Sequence, residues 1–317
     1  MSFSVANFIT DARILGGIPT ALSSTSLLAI ADRELQTKVI PLLLSLREDF
    51  YSCDYYSVLV AGVGRYEVPR RAMGGRIRAL WLQRSDGTLK ALRRVTPEEA
   101  HTLTLTALGE PECYWLQGGE IRLNPLPADS SAFLKYLIHA RPGRMFETVV
   151  VGTNVSSISG ITYSGGNFLV AVYASGGMTG YSGPIDIINS GIGGSEIRCV
   201  DMTPSAVTAS QYTFPQSYGV PSDLAAAGAL FNGDYIVQAE TTPYVPVPGD
   251  SYSLLLYATV AAYLRSAGYL DEAAAMADEA KTIARDMHAM LSPRTDGRSH
   301  YVTGGVLGAQ RAAWPYG

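Results

Sequence analysis

The groups able to carry acid–base or covalent chemistry are few in this chain and poorly spaced for it. Its histidines are His101, His139, His288 and His300, and none stands three or four residues from another histidine or a cysteine. A zinc site built from one local segment needs such spacing, because neighbouring ligands must share a turn or a helix face. Cys53, Cys113 and Cys199 are equally scattered, and their odd number argues against a disulfide framework and fits a reducing compartment. Ser182 lies in Gly-Tyr-Ser-Gly-Pro, where proline takes the final position of a nucleophile elbow. In the run Gly62-Val-Gly64-Arg-Tyr-Glu67, glutamate stands where a dinucleotide fingerprint needs its third glycine. The paired acids Glu98–Glu99 and Asp271–Glu272 each fall at an expected helix start, where carboxylates favour the positive end of the helix dipole. These patterns give no catalytic, cofactor or metal residues. The expectation is that the chain is not an enzyme and binds no cofactor.

Charge is the stronger signal. Between Arg65 and Arg94 stand Arg65, Arg70, Arg71, Arg76, Arg78, Arg84, Lys90, Arg93 and Arg94, against only Glu67 and Asp86. From residue 148 to 250 the sign reverses: Asp186, Glu196, Asp201, Asp223, Asp234, Glu240 and Asp250 face the single base Arg198. Such asymmetry can steer two copies together or attract passing nucleic acid. The basic run has only Tyr66 and Trp81 near it, too few aromatics for a single-strand stacking platform. Clustered positive charge suffices for transient, nonspecific contact with DNA phosphates. The candidate basic patch, facing a channel or a neighbouring subunit, is Arg65, Arg70, Arg71, Arg76, Arg78, Arg93 and Arg94. Over the whole chain of 317 residues charge is sparse, at 16% Asp, Glu, Lys and Arg, and tyrosine (19) far outnumbers phenylalanine (8). Tyrosine-rich, charge-poor surfaces suit broad protein contacts.

The elements that must carry these residues follow from periodicity. Residues 4–15 put Val5, Phe8, Ile9, Ala12 and Leu15 on one helical stripe, stopped by Gly16–Gly17. A second helix starts near Ser24–Ser26, buries Leu27, Ile30, Ala31, Leu35 and Val39, and should kink or split at Pro41. From Tyr55 the period becomes two. VLVAGVGRYEVP reads as strand, glycine turn and strand; RIRALWLQRSDGTLKALRRV reads as a hairpin closing on Asp86–Gly87, with Ile77, Ala79, Trp81 and Gln83 on one face. TPEEAHTLTLTAL is a predicted helix with Thr96 as N-cap and Pro97 in its first turn. CYWLQGGEIRLNPLP is a hairpin turning at Gly118–Gly119, and AFLKYLIHARP a strand alternating Leu134, Tyr136 and Ile138 against Phe133, Lys135 and Leu137.

The predicted fold class is α+β. Residues 1–145 supply N-terminal helices and the basic β-hairpin region; 146–215, rich in Gly and Ser, read as an inserted all-β module. Residues 216–292 return to the body through closing helices, capped by Asp250, with Gly268 either a break between two helices or a tolerated flaw in one long one. Residues 293–317 read as an extended C-terminal tail. No secretory signal and no apolar run near the roughly 20 residues of a membrane span is visible, so the expected place of synthesis is the cytoplasm, with no membrane partner.

The order of these parts resembles the head-to-tail adaptor, or connector, proteins of tailed bacteriophages. The similarity lies in the N-terminal helix pair and in VLVAGVGRYEVPRRAMGGRIRALWLQRSDGTLKALRRVTPEEA, with its strand, glycine, Tyr-x-x-Pro and arginine-rich hairpin. It continues in ECYWLQGGEIRLNPLPADSSAFLKYLIHARP and in the closing helices after PVPGDSY. Residues 146–215 depart from the family's simpler pattern. The resemblance implies a virion neck protein made in the bacterial host cytoplasm. Copies would form a closed ring, commonly a dodecamer, that joins the portal protein to the next tail or nozzle component and continues the channel used in DNA ejection. It also implies that the tail, with Arg311, Trp314 and Tyr316, reaches the portal. The rival expectation is a tail-associated receptor- or glycan-binding protein, displaying Tyr163, Phe168, Tyr173 and Tyr181 on the β insert.

Overall fold

The computed structural model describes residues 4–46, 50–85, 87–103, 106–147, 155–164, 167–172, 181–189, 196–208, 210–215 and 234–291. The tail expected from residue 293, with Arg311, Trp314 and Tyr316, lies outside them. Within them the fold is α+β.

Helix α1 (Val5–Gly16) starts where Ser4 Oγ accepts the Asn7 N–H, and ends on Gly17 in the left-handed region at φ 55°. Helix α2 (Ser24–Glu34) is capped by Ser23 and widens into a π turn at Leu35–Val39 before α3 (Ile40–Leu46). The chain stays helical through Pro41, so the expected split does not occur. Proline has no N–H and its ring crowds the preceding turn; the wider π turn takes up both defects. Leu28 joins Leu27, Ala31, Leu35 and Val39 in the core, in place of the expected Ile30.

The helix expected over residues 96–108 is a single turn, α4 (Pro97–Ala100), held by a capping box between Thr96 and Glu99. Beyond it the threonines of TLTLT alternate with leucine, a β-branched pattern that resists helix. Asp250 is not a cap: it sits inside a 3₁₀ turn, Gly249–Ser251, that leads into α5 (Tyr252–Ala267). Gly268, at φ 90°, separates α5 from α6 (Leu270–Leu291), the break its position suggested. Helix α5 is buried on several sides, with Leu255 and Val260 fully enclosed, and α1, α2 and α6 pack around it. This is the helical body.

The β region contains β1 (Ser52–Val58), β2 (Arg65–Glu67), β3 (Ala72–Gln83), β4 (Leu89–Ala91), β5 (Arg93–Arg94), β6 (Leu108–Gly109), β7 (Cys113–Gln117), β8 (Glu120–Asn124), β9 (Leu126–Pro127) and β10 (Phe133–Ala140). One sheet runs β1-β10-β3-β4 and another β2-β8-β7-β5, while β6 and β9 form a small parallel pair. Leu80, Leu134 and Tyr136 of the first sheet share a core with Tyr114, Ile121 and Leu123 of the second. Strand β10 alternates as its sequence implies. Strand β3 does not: it buries Ile77, Leu80 and Leu82. Ile77 pairs with Ile138 and Ala79 with Leu137, so Arg78 is an extra residue. That bulge reverses the inward phase beyond it, which is why Ala79 and Trp81 are not the core residues of this strand.

After β11 (Arg144–Met145) the chain enters the β module: β12 (Val155–Ser164), β13 (Asn167–Val172), β14 (Ile185–Asn189), β15 (Glu196–Met202), β16 (Ala206–Val207), β17 (Gln211–Pro215) and β18 (Tyr235–Gln238). They form one seven-stranded sheet in the order β15-β14-β18-β12-β13-β17-β16. Strand β18 lies between β14 and β12, so the sheet runs past the boundary expected at residue 215. The chain leaves through β19 (Thr241–Thr242), parallel to β11. Gly143 sits so close to that exit that a Cβ there would lie 2.7 Å from the Thr241 backbone.

Candidate functional site: a cationic cleft beside a buried ion pair

The nine bases between Arg65 and Arg94 do not form one surface. Arg71 is the sharpest correction: it is 2% exposed and belongs to the interior. Its Nη1 donates to Asp186 Oδ2 at 2.7 Å and lies 3.6 Å from Asp201 Oδ1. Its Nε and Nη2 donate to the Arg141 carbonyl at 3.2 and 3.0 Å. Asp186 also accepts the Asp201 N–H at 3.0 Å and the Glu240 N–H at 3.1 Å. One guanidinium from the turn just before β3 thus meets carboxylates of β14 and β15, pinning the module to the body. Part of the charge asymmetry is therefore satisfied inside a single chain. Burial pushes the Asp186 carboxyl above its ordinary range, and Arg71 with the two backbone donors pulls it back.

Other members of the run are dispersed. Arg84 pairs with Glu110 at 2.6 Å, and Lys90 reaches the same carboxylate at 3.5 Å. Arg65 lies on β2, opposite Arg122, at one edge of the sheet whose other edge is β5 with Arg93. Three strand spacings separate those edges, roughly 14 Å. Arg70 is exposed beside the ion pair.

Three of the expected residues do converge. Arg76, Arg78 and Arg94, all exposed, line a cleft of about 1200 Å3 between α3 and the first half of β3. Arg141 and His139, from the end of β10, complete its charged lining, and among the described residues no Asp or Glu takes part. Among the described residues no carboxylate pairs with Arg76, Arg94 or Arg141. Gly74 and Gly75, at φ 60° and 65°, give the strand entrance a path that L side chains rarely take. Ile40, Leu44, Met73 and Leu116 supply an apolar floor. His139 Nδ1 lies 3.2 Å from the Phe50 carbonyl, which can only accept, so the ring donates there.

Sequence reading missed Arg141 and His139 because they fall outside the basic run. What brings them in is the strand register, which nothing local announces: β10 pairs with β3, placing its C-terminal end beside Arg76 and Arg78.

Chemically this is a binding surface for anions. Guanidinium forks suit carboxylates and phosphates. Burial pushes the Cys53 thiol up to about 12 and raises Cys113 as well, which disfavours the thiolate at both. Of the aromatics proposed for glycan contact, Tyr181 packs against the module core. Tyr173 and the side chains of Tyr163 and Phe168 lie outside the described residues. No helix among the described residues is long and apolar enough to cross a membrane. Compared with protein families and with curated proteins, the chain matches none.

Proposed function

We propose that this chain is a structural head-to-tail adaptor of a tailed bacteriophage, one subunit of a ring in the virion neck. The observation that carries the reading is the cleft: four guanidiniums and an imidazole over an apolar floor, with no carboxylate among the described lining residues. Such a surface suits an acidic partner or a phosphate backbone. The order of parts along the chain supports the same reading. A helical body and a hairpin region come first, and a module anchored by a buried ion pair follows.

In this reading copies close into a ring under the portal protein, commonly of about twelve, and present a face to the next tail or nozzle component. The DNA channel passes through the ring, with only transient contact between arginines and phosphates. Residues 293–317 carry Arg311, Trp314 and Tyr316 to the portal, where aromatic side chains bury much area per ordered residue. Electron microscopy of the purified chain with purified portal protein tests this. Rings seated on the portal are expected; single chains that never join it would count decisively against the proposal.

A further inference from the structure

The cleft and helix α6 carry opposite charge and lie on opposite sides of α3. Gln36, Ile40 and Leu44 border the cleft, whereas Lys38, Val39 and Leu42 border the groove beneath α6. The inner face of α6, with Ala273, Ala280 and Met287, packs on the body. Its outer face carries Asp271, Glu272, Asp278, Glu279 and Asp286, all exposed. At 100° per residue these acids fall within an arc of about 120°, opposite the buried stripe. Lys281 Nζ neutralises one of them, bonding Asp278 Oδ1 at 2.8 Å. Among the described residues no base pairs with Asp271, Glu272, Glu279 or Asp286. The same end of the helix exposes two large side chains, Tyr269 at 55% and Leu270 at 67%. An apolar pair followed by acids matches an apolar floor rimmed by arginines, the pattern of a desolvated anchor with a charged surround.

Resting on the ring reading, we propose that the α5–α6 corner of one copy, Tyr269 through Glu279, seats in the arginine cleft of the next copy. Because the two surfaces sit on opposite sides of α3, one chain cannot satisfy its own cleft. The contact is head-to-tail, the kind that generates closed rings when the rotation closes. The segment Tyr269 through Glu279 spans about 15 Å of helix about 10 Å wide, a volume of the same order as the cleft's 1200 Å3. Gly268 in the left-handed region fixes the angle at which Tyr269 and Leu270 are presented.

The test is a charge swap read by sedimentation velocity and native mass spectrometry, alone and with the purified portal protein of the same virus. One variant is Arg76→Glu with Arg78→Glu and Arg94→Glu; Arg141 is left because its carbonyl holds Arg71. The other is Asp271→Lys with Glu272→Lys and Glu279→Lys. Each alone is expected to weaken subunit association by at least about a hundredfold, since like charges would face each other. Mixed one to one, they should restore rings that contain both variants in alternation. A third variant, Tyr269→Ser with Leu270→Ser, removes only exposed side chains and should also lose rings while unfolding at the wild-type temperature.

Rings that persist in both charge variants overturn the contact and leave the ring reading standing. So does a mixture that fails to recover. Loss of duplex DNA binding in the arginine variant, with rings intact, assigns the cleft to DNA and overturns the contact. Wild-type protein that stays a single chain even with the portal overturns the ring reading, and the contact with it.

Discussion

Replacing Arg71 by methionine would strand a carboxylate at the root of the β module. In the wild-type chain the Arg71 side chain is 3% exposed and that of Asp186 is 2% exposed, at 2.7 Å. Removing one member of such a pair costs about 3–5 kcal/mol, because the remaining charge has left water without compensation. Asp186 keeps two backbone donors, from Asp201 and Glu240, which favours the lower end. The Arg141 carbonyl loses two donors, but it borders the open cleft and water can replace them. A loss of about 3 kcal/mol at pH 7 is the expected balance. Urea unfolding with linear extrapolation measures it. The double variant Arg71→Met with Asp186→Leu should recover most of the loss, because neither charge is then buried alone.

The same substitution has a pH signature. Burial already holds the Asp186 carboxyl up, and Arg71 is the charge that lowers it. Without Arg71 the folded state binds the Asp186 proton still more tightly than the unfolded chain does. Stability of the variant must then rise as pH falls, and the penalty shrinks in acid. An Arg71→Met chain within about 1 kcal/mol of wild type at pH 7, or a double variant as unstable as the sum of the singles, would refute the reasoning.

Asp32 accepts the Met145 N–H at 3.2 Å, and burial raises its pKa to about 6. The folded state therefore holds that proton more tightly, and Asp32 contributes a stability gain as pH falls from about 7 towards 4; Asp32→Asn should flatten this part of the profile in thermal melts. Gly143→Ala places a methyl group against the Thr241 backbone and should cost about 1–3 kcal/mol, with faster proteolysis between residues 146 and 240 as its local signature. Unchanged proteolysis would mean that the clasp between β11 and β19 does not hold the module. Deleting residues 296–317 should abolish portal binding and leave the melting temperature nearly unchanged; a truncated chain that binds the portal normally removes the tail-anchor proposal.

What could be read from sequence was what is local. Leu134, Tyr136 and Ile138 alternate without interruption, so the strand and its buried face were plain. Gly118–Gly119, Thr96 and Gly268 mark their turn, cap and helix break because each is decided by a few backbone angles. Strand β3 resisted the same treatment since one inserted residue, Arg78, flips the pattern without leaving any mark in composition. Thr96 shows the converse: a sound cap opens only the single turn Pro97–Ala100.

The site was legible only in part, for a related reason. Arg71 stands among eight other bases and differs from them by nothing local. Its partner Asp186 lies 115 residues further along, on a strand whose register no neighbouring residue announces. The cleft likewise joins Arg76 and Arg78 to Arg141 through the pairing of β3 with β10, and gains Arg94 from β5 in the other sheet, both tertiary facts. Charge asymmetry could not say that part of it is spent within the chain, in the pairing of Arg71 with Asp186 and Asp201.

The most direct test of the adaptor reading is the copy number and placement of this chain on the portal, seen by electron microscopy of the two purified proteins together. A closed ring of about twelve copies, coaxial with the portal and continuing its channel, is the expected image. Single chains unattached to the portal, at concentrations where the portal itself is intact, would contradict it.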